Sequence, residues 1–187
     1  MKAHKYLTSA FFVLICQVFF VSAQQSAAPD VVYVPTSEKV VDAMLKLAKV
    51  TKGDTVYDLG CGDGRIVITA AKEFGANGIG IEINRELVKR AGENARQAGV
   101  ADKVKFVEAD LFKTDFSRAT VVMLYLSPGV NLKLRPLLLK QLKPGTRIIS
   151  HDFDMGDWKP EQTIKVEDAT LYFWTVPAKK PTFKKSE

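Results

Sequence analysis

Cysteine is scarce in this chain of 187 residues, where Cys16 and Cys61 are the only two. Cys16 falls inside an N-terminal apolar run, so the rest of the chain holds one thiol. That excludes an internal disulfide framework and any metal cluster built on cysteine. Long apolar runs are missing as well. The longest, Leu7 to Val21, spans about 15 residues and is interrupted by Gln17, short of the roughly 20 that a membrane-crossing helix needs. Charge of one sign does not dominate: 27 Lys and Arg stand against 21 Asp and Glu, a formal net charge of +6. The basic residues are spread along the chain apart from Lys179, Lys180, Lys184 and Lys185, so nothing demands a nucleic-acid groove and nucleic acid is not an expected partner. With 47% hydrophobic and 26% charged residues, the composition belongs to a packed globular protein and excludes disordered and collagen-like classes.

Before Asp30 there is no acidic residue, while Lys2, His4 and Lys5 precede the apolar run and Val21-Ser22-Ala23 follows it. This is the order of a secretory signal: a basic start, an apolar middle and small residues at a cleavage point. Residues 1–23 are therefore expected to be a signal peptide or, if uncleaved, an N-terminal anchor giving membrane association. Either way the domain would lie outside the cytoplasm, exported or anchored facing away from it. Residues 24–30 read as a linker and 178–187 as a basic tail, which leaves one domain of common size over residues 31–177.

Apolar residues Val40, Val41, Met44, Leu45 and Ala48 fall at helical spacing behind Thr36 and Ser37, predicting a capped helix over about Ser37 to Val50. Strand and helix then alternate. Strands are expected at Thr55 to Leu59, Gly78 to Ile83, Val104 to Glu108, Val121 to Leu126 and Thr146 to Ser150. Helices are expected at Arg65 to Phe74, Arg85 to Gln97 and Asn131 to Leu142. That order predicts a parallel sheet with crossover helices. The ending differs: Thr163 to Val166 and Thr170 to Val176, joined by Glu167-Asp168-Ala169, predict a β-hairpin that adds antiparallel strands to the sheet edge. The expected fold class is α/β, a Rossmann-like doubly wound, seven-stranded and mostly parallel sheet with a C-terminal antiparallel hairpin.

Between the first strand and the helix after it stands Asp58-Leu59-Gly60-Cys61-Gly62-Asp63-Gly64. Gly60 and Gly62 allow torsions barred to other residues and a close approach of backbone to a ligand, and the helix start offers free amides. Glu82 lies 20 residues beyond Gly62, at the end of the second strand, where a carboxylate accepts hydrogen bonds from ribose hydroxyls. Spacing alone allows a dinucleotide or another adenosine cofactor.

The type of loop separates these two. An acid followed by Gly-x-Gly-x-Gly resembles the first motif of class I S-adenosylmethionine-dependent methyltransferases, whereas nicotinamide enzymes use Gly-x-Gly-x-x-Gly and position 65 here is Arg. A narrower resemblance lies in Val32-Tyr33-Val34-Pro35-Thr36, Asp63-Gly64-Arg65-Ile66-Val67, Leu126-Ser127-Pro128 and Ser150 to Trp158. These stretches resemble the small lysine methyltransferases of the ATP synthase c-subunit and the adenine nucleotide translocase, with their bacterial relatives. The resemblance implies S-adenosyl-L-methionine as cofactor. Asp58, Gly60 and Gly62, with Cys61 as a small filler between them, would line its methionine and ribose part. Glu82 would hold the ribose, Asp110 would face the adenine amine, Ile83 and Leu111 would flank the ring, and Tyr33 and Thr36 would close over the cofactor.

The acceptor is expected to be a lysine or another amine on a protein, with a small-molecule amine or an inactive cofactor-binding module as alternatives. Enzymes that methylate nucleobase amines carry Asn or Asp before Pro-Pro and an aromatic, and this chain has Ser127-Pro128 there. Methyl transfer needs positioning and a neutral nucleophile and no metal. Since a free lysine amine has a pKa of about 10.4, His151, Asp152 and Ser127, near the ends of the fourth and fifth strands, are the candidates to receive its proton or orient it.

Overall fold

The computed structural model describes residues 34–181 and 183. The expected signal or anchor segment, the linker and Tyr33 lie outside the described residues. Among the described residues no helix is long and apolar enough to cross a membrane.

Seven strands form one sheet in the order β3-β2-β1-β4-β5-β7-β6. They are β1 (Thr55–Leu59), β2 (Asn77–Glu82), β3 (Val104–Glu108), β4 (Val121–Leu124), β5 (Arg147–His151), β6 (Gln162–Val166) and β7 (Ala169–Thr175). The first five run parallel, and β7 pairs antiparallel with both β5 and β6. The expected architecture is the observed one. Central strands are apolar on both faces because both faces are covered. In β4, Val122 and Leu124 pack with Tyr57, Leu59, Ile148 and Trp174 on one face, whereas Val121 and Met123 pack with Val56 and Ile149 on the other. Helices α1 (Glu38–Leu47), α2 (Arg65–Phe74) and α3 (Arg85–Gln97) cover the second face, and α4 (Pro128–Gln141) covers the first.

Several boundaries depart from expectation by one to three residues, and two of them have clear local reasons. Helix α4 begins three residues earlier than its apolar pattern suggested, because Ser127 caps it by accepting from the Val130 N–H at 3.4 Å and Pro128 takes the first helical position, where a missing N–H costs nothing. Strand β4 stops at Leu124, which frees Tyr125 and Leu126 from the ladder at the sheet's carboxyl edge.

At the opposite edge, Asp54 ties the sheet to α1. It accepts from the Thr51 N–H at 2.8 Å and the Thr120 hydroxyl at 2.7 Å, and it pairs with Arg147, whose guanidinium also donates to the Ala48 carbonyl at 2.6 Å. Burial pushes the Asp54 carboxyl up, but the Thr120, Thr51 and Arg147 contacts together outweigh it and hold it below the usual carboxylate range.

Candidate active site

Chain order reverses between β1 and β4, and in open α/β sheets the crevice at such a point is where ligands bind. A cleft of about 620 Å³ opens there. The loop after β1 floors one end of it. Gly60 and Gly64 both have left-handed φ, at 87° and 81°, and neither could carry a side chain. A Cβ on Gly60 would lie 2.8 Å from Leu126, and one on Gly64 would lie 2.6 Å from the Phe106 ring. The glycines thus close the loop down onto the sheet while leaving its upper side open.

Glu82 at the end of β2 is buried, and each of its carboxylate oxygens accepts one backbone N–H: Oε2 from Gly62 at 3.0 Å and Oε1 from Asn84 at 2.9 Å. These bonds fix the carboxylate's orientation and leave each oxygen able to accept another donor. Asp58, at the end of β1, is fully buried, and among the described residues none donates a hydrogen bond to its carboxyl. Burial first, then the Glu82 and Asp63 charges, push its pKa up to about 8. A buried carboxyl with no donor, facing a cleft, fits a ligand that brings a cationic or N–H group of its own.

Asp110, which caps a short 3-10 turn (Leu111–Lys113), accepts from the Phe112 N–H at 2.9 Å and pairs with Lys113. Thr36, Asp58, Gly60, Cys61, Glu82, Ile83, Asp110, Leu111 and Ser127 all line the cleft. The Gly62 N–H is turned toward Glu82 instead. The Cys61 thiol is buried, and desolvation with the nearby Asp58 and Glu82 charges pushes its pKa up, which leaves an unreactive thiol packed against Gly80. These features fit S-adenosylmethionine: a polar, acidic end for its amino acid and ribose, and Ile83, Leu111 and Phe112 for an adenine.

Arg65 has a role that glycine-loop reasoning did not assign. It grips Asp63 through two nitrogens and donates to the Thr36 carbonyl at 2.6 Å, fastening the segment before α1 over the cleft. The other expected group, His151 and Asp152, sits behind the cleft wall. The His151 ring is buried, with Nδ1 3.3 Å from the Thr36 hydroxyl and Nε2 3.3 Å from Asp152. Burial lowers its pKa and Asp152 opposes this in part. Asp152 has left-handed φ, 61°, and is anchored to Thr170 through its backbone N–H at 2.7 Å and its carboxylate at 2.8 Å. What faces the cleft at this end is Tyr125 and Phe153. The ring of Tyr125 stacks on His151 at 3.8 Å and 24°. Phe153 lies inside the Ser150 to Trp158 stretch of the resemblance and Tyr125 just before Leu126-Ser127-Pro128, but the resemblance assigned neither a role, and their position just past β4 and β5 is the usable hint.

Comparison with known proteins agrees with this geometry. Residues 58–162 match the ANTKMT methyltransferase domain. A protein-lysine N-methyltransferase of Saccharolobus islandicus (strain REY15A) is 49% identical over 156 residues, covering 81% of this chain and 97% of that protein. The adenine nucleotide translocase lysine N-methyltransferase of Mus musculus is 32% identical over 153 residues, 82% of this chain and 66% of that protein's length. A crystal structure of an RNA methyltransferase from Salinibacter ruber in complex with S-adenosyl-L-homocysteine superposes with a TM-score of 0.78 at 59% identity, covering 79% of this chain and 97% of that one. The chain therefore belongs to the ANTKMT family of class I S-adenosylmethionine-dependent methyltransferases.

Proposed function

We propose that this protein is a protein-lysine N-methyltransferase that uses S-adenosylmethionine. The observation that carries this reading is the 49% identity running through 97% of an archaeal protein-lysine N-methyltransferase, and the cleft agrees with it. Its four acids, Asp58, Asp63, Glu82 and Asp110, stand at or just beyond the ends of β1, β2 and β3, while the loops after β4 and β5 contribute Tyr125, Leu126, Ser127 and Phe153. An apolar acceptor end suits an alkyl amine, because desolvation disfavours the ammonium and supplies the neutral nucleophile the reaction requires.

When bound, S-adenosylmethionine would supply a methyl group on a sulfonium: the amine lone pair forms the new N–C bond as the C–S bond breaks, and the neutral thioether leaves with the electrons of that bond. Asp58 would face the cation of the amino acid part, Glu82 would hold the ribose, and Asp110 with Ile83 and Leu111 would bracket the adenine. The proton lost from nitrogen passes to water, and Ser127, engaged in capping α4, need not take it. Rate then comes chiefly from holding donor and acceptor in line.

The Salinibacter ruber relative is named for RNA, so the test carries both acceptors. The full chain is incubated with methyl-labelled S-adenosylmethionine and, separately, total cell protein, total RNA and a small-metabolite fraction, with mass spectrometry of any labelled residue. Label on lysine supports the reading. Label in RNA or in metabolites alone refutes it.

A further inference from the structure

The register places one residue between cofactor and acceptor. Leu124 of β4 is level with Leu59 of β1 and Ser150 of β5, so Tyr125 stands in line between Gly60 and His151. Its ring stacks on His151 and lies near-parallel to Phe153, with centroids 6.4 Å apart and planes 17° apart.

The loop bearing Phe153 is held by a dense set of hydrogen bonds. The carbonyl of Phe153 accepts from the Ser150 hydroxyl at 2.6 Å and from Asn131 Nδ2 at 3.0 Å. The Asp154 carbonyl accepts from Asn131 at 3.3 Å, the Met155 carbonyl accepts from Arg135 at 2.7 Å, and the Phe153 N–H donates to the His151 carbonyl at 2.8 Å. Asn131 and Ser150 are wholly buried, and among the described residues the Asn131 Oδ1 has no partner. Burying an amide with an unpaired oxygen is costly, and the stretch its NH₂ secures is the one that presents Phe153.

We propose that Tyr125 and Phe153 form the acceptor subsite, two aromatic walls that receive an unbranched alkylamine chain and direct its nitrogen toward the Gly60 loop, with Asn131 and Ser150 as positioning residues for Phe153. The proposal rests on the lysine reading above and specifies where the lysine enters. The chemistry matches: four methylenes pack on aromatic faces, an ammonium approaching the mouth is drawn by their electron-rich surfaces, and among the described residues the carboxylates that line the cleft, Asp58, Asp63, Glu82 and Asp110, belong to its cofactor end.

The test uses the full chain and a synthetic peptide containing the lysine most heavily labelled in total cell protein. Tyr125→Leu and Phe153→Leu are each expected to lower kcat on that peptide by about 10- to 100-fold through misplacement of the amine. Phe153→Leu should hold calorimetric affinity for S-adenosylhomocysteine within about twofold, and Tyr125→Phe should recover most of what Tyr125→Leu loses, because the ring is what acts. Asn131→Ala should lower kcat alone but add little to Phe153→Leu, since a positioning residue has nothing left to position. Phe153 is partly exposed, so its variant tests the proposal even if Tyr125→Leu fails to fold. Native kcat and KM in both leucine variants, or full additivity of Asn131→Ala with Phe153→Leu, overturns the subsite while leaving lysine methylation standing. Absence of lysine label with the natural chain overturns both.

Discussion

Replacing Asp58 with asparagine separates what this residue does for the fold from what it does for the cofactor, because the two effects have opposite sign. The folded-state pKa of about 8 lies above the unfolded value of about 3.9. A carboxyl raised on folding contributes stability that is fully present below the unfolded pKa and is lost as pH rises toward the folded one. At about 1.4 kcal/mol per pH unit, the loss by pH 7 has a ceiling of about 4 kcal/mol, and water entering the open cleft relieves part of it. An asparagine in its place carries no such penalty. At roughly 2–4 °C per kcal/mol for a domain of this size, Asp58→Asn should melt about 5–10 °C above the natural protein at pH 7 to 8 without ligand, and the two should converge near pH 4. Cofactor binding should run the other way. Pairing with an ammonium requires the carboxylate, so affinity of the natural chain for S-adenosylhomocysteine should rise close to tenfold per unit between pH 6 and 7.5, and the variant should bind weakly with no such slope. Thermal melts and titration calorimetry across pH read both effects. Melting curves that stay parallel at every pH, together with a flat affinity, would refute the assignment of a buried, unpaired carboxyl waiting for a cation.

Three further outcomes follow from named contacts. Glu82→Ala removes the acceptor that orients Gly62 and Asn84 as well as the proposed ribose contact, and at about 1.5–3 kcal/mol for a hydrogen bond to a charged group it should weaken S-adenosylhomocysteine binding by about 10- to 100-fold in calorimetry. Gly64→Ala forces a Cβ to within 2.6 Å of Phe106 and 3.0 Å of Ala91 at a φ of 81°. It should cost about 2–4 kcal/mol in urea unfolding from strain and overpacking combined. Asp54→Ala leaves Arg147 half-buried beside α1 without its partner and should cost about 3 kcal/mol at neutral pH, with cofactor affinity unchanged. Because folding lowers the Asp54 pKa, that stabilisation is present above the unfolded value and disappears as pH falls through the folded one, so natural and variant proteins should converge in acid.

The two ends of the cleft differ in how far they could be read from residues alone. The cofactor end is local in sequence. Asp58, Gly60 and Gly62 are neighbours, Glu82 closes the next strand, and Asp110 follows the one after, so alternation of strand and helix with an acid at each strand end brings them together at one edge of the sheet. Backbone requirements write themselves into such a stretch, because only glycine tolerates the left-handed turns and the contact with Phe106. The acceptor end is assembled across distance. Tyr125 meets His151 because β4 and β5 are adjacent and in register, and Phe153 is fixed by Asn131 from a helix 22 residues earlier. Aromatic residues after strands carry no spacing rule that separates a wall from core packing.

His151 and Asp152 illustrate the same limit from the other side. As a lone histidine beside an acid at a strand end, the pair had the composition of a proton relay, and only tertiary packing could reveal that Tyr125 stands between it and the cleft while Thr36 and Thr170 occupy its polar atoms. A residue type is evidence for chemistry in proportion to how much of its hydrogen-bonding capacity the fold leaves unfilled. By that measure Asp58, buried with no donor, is the group most committed to a ligand, and the acceptor end works by shape and desolvation.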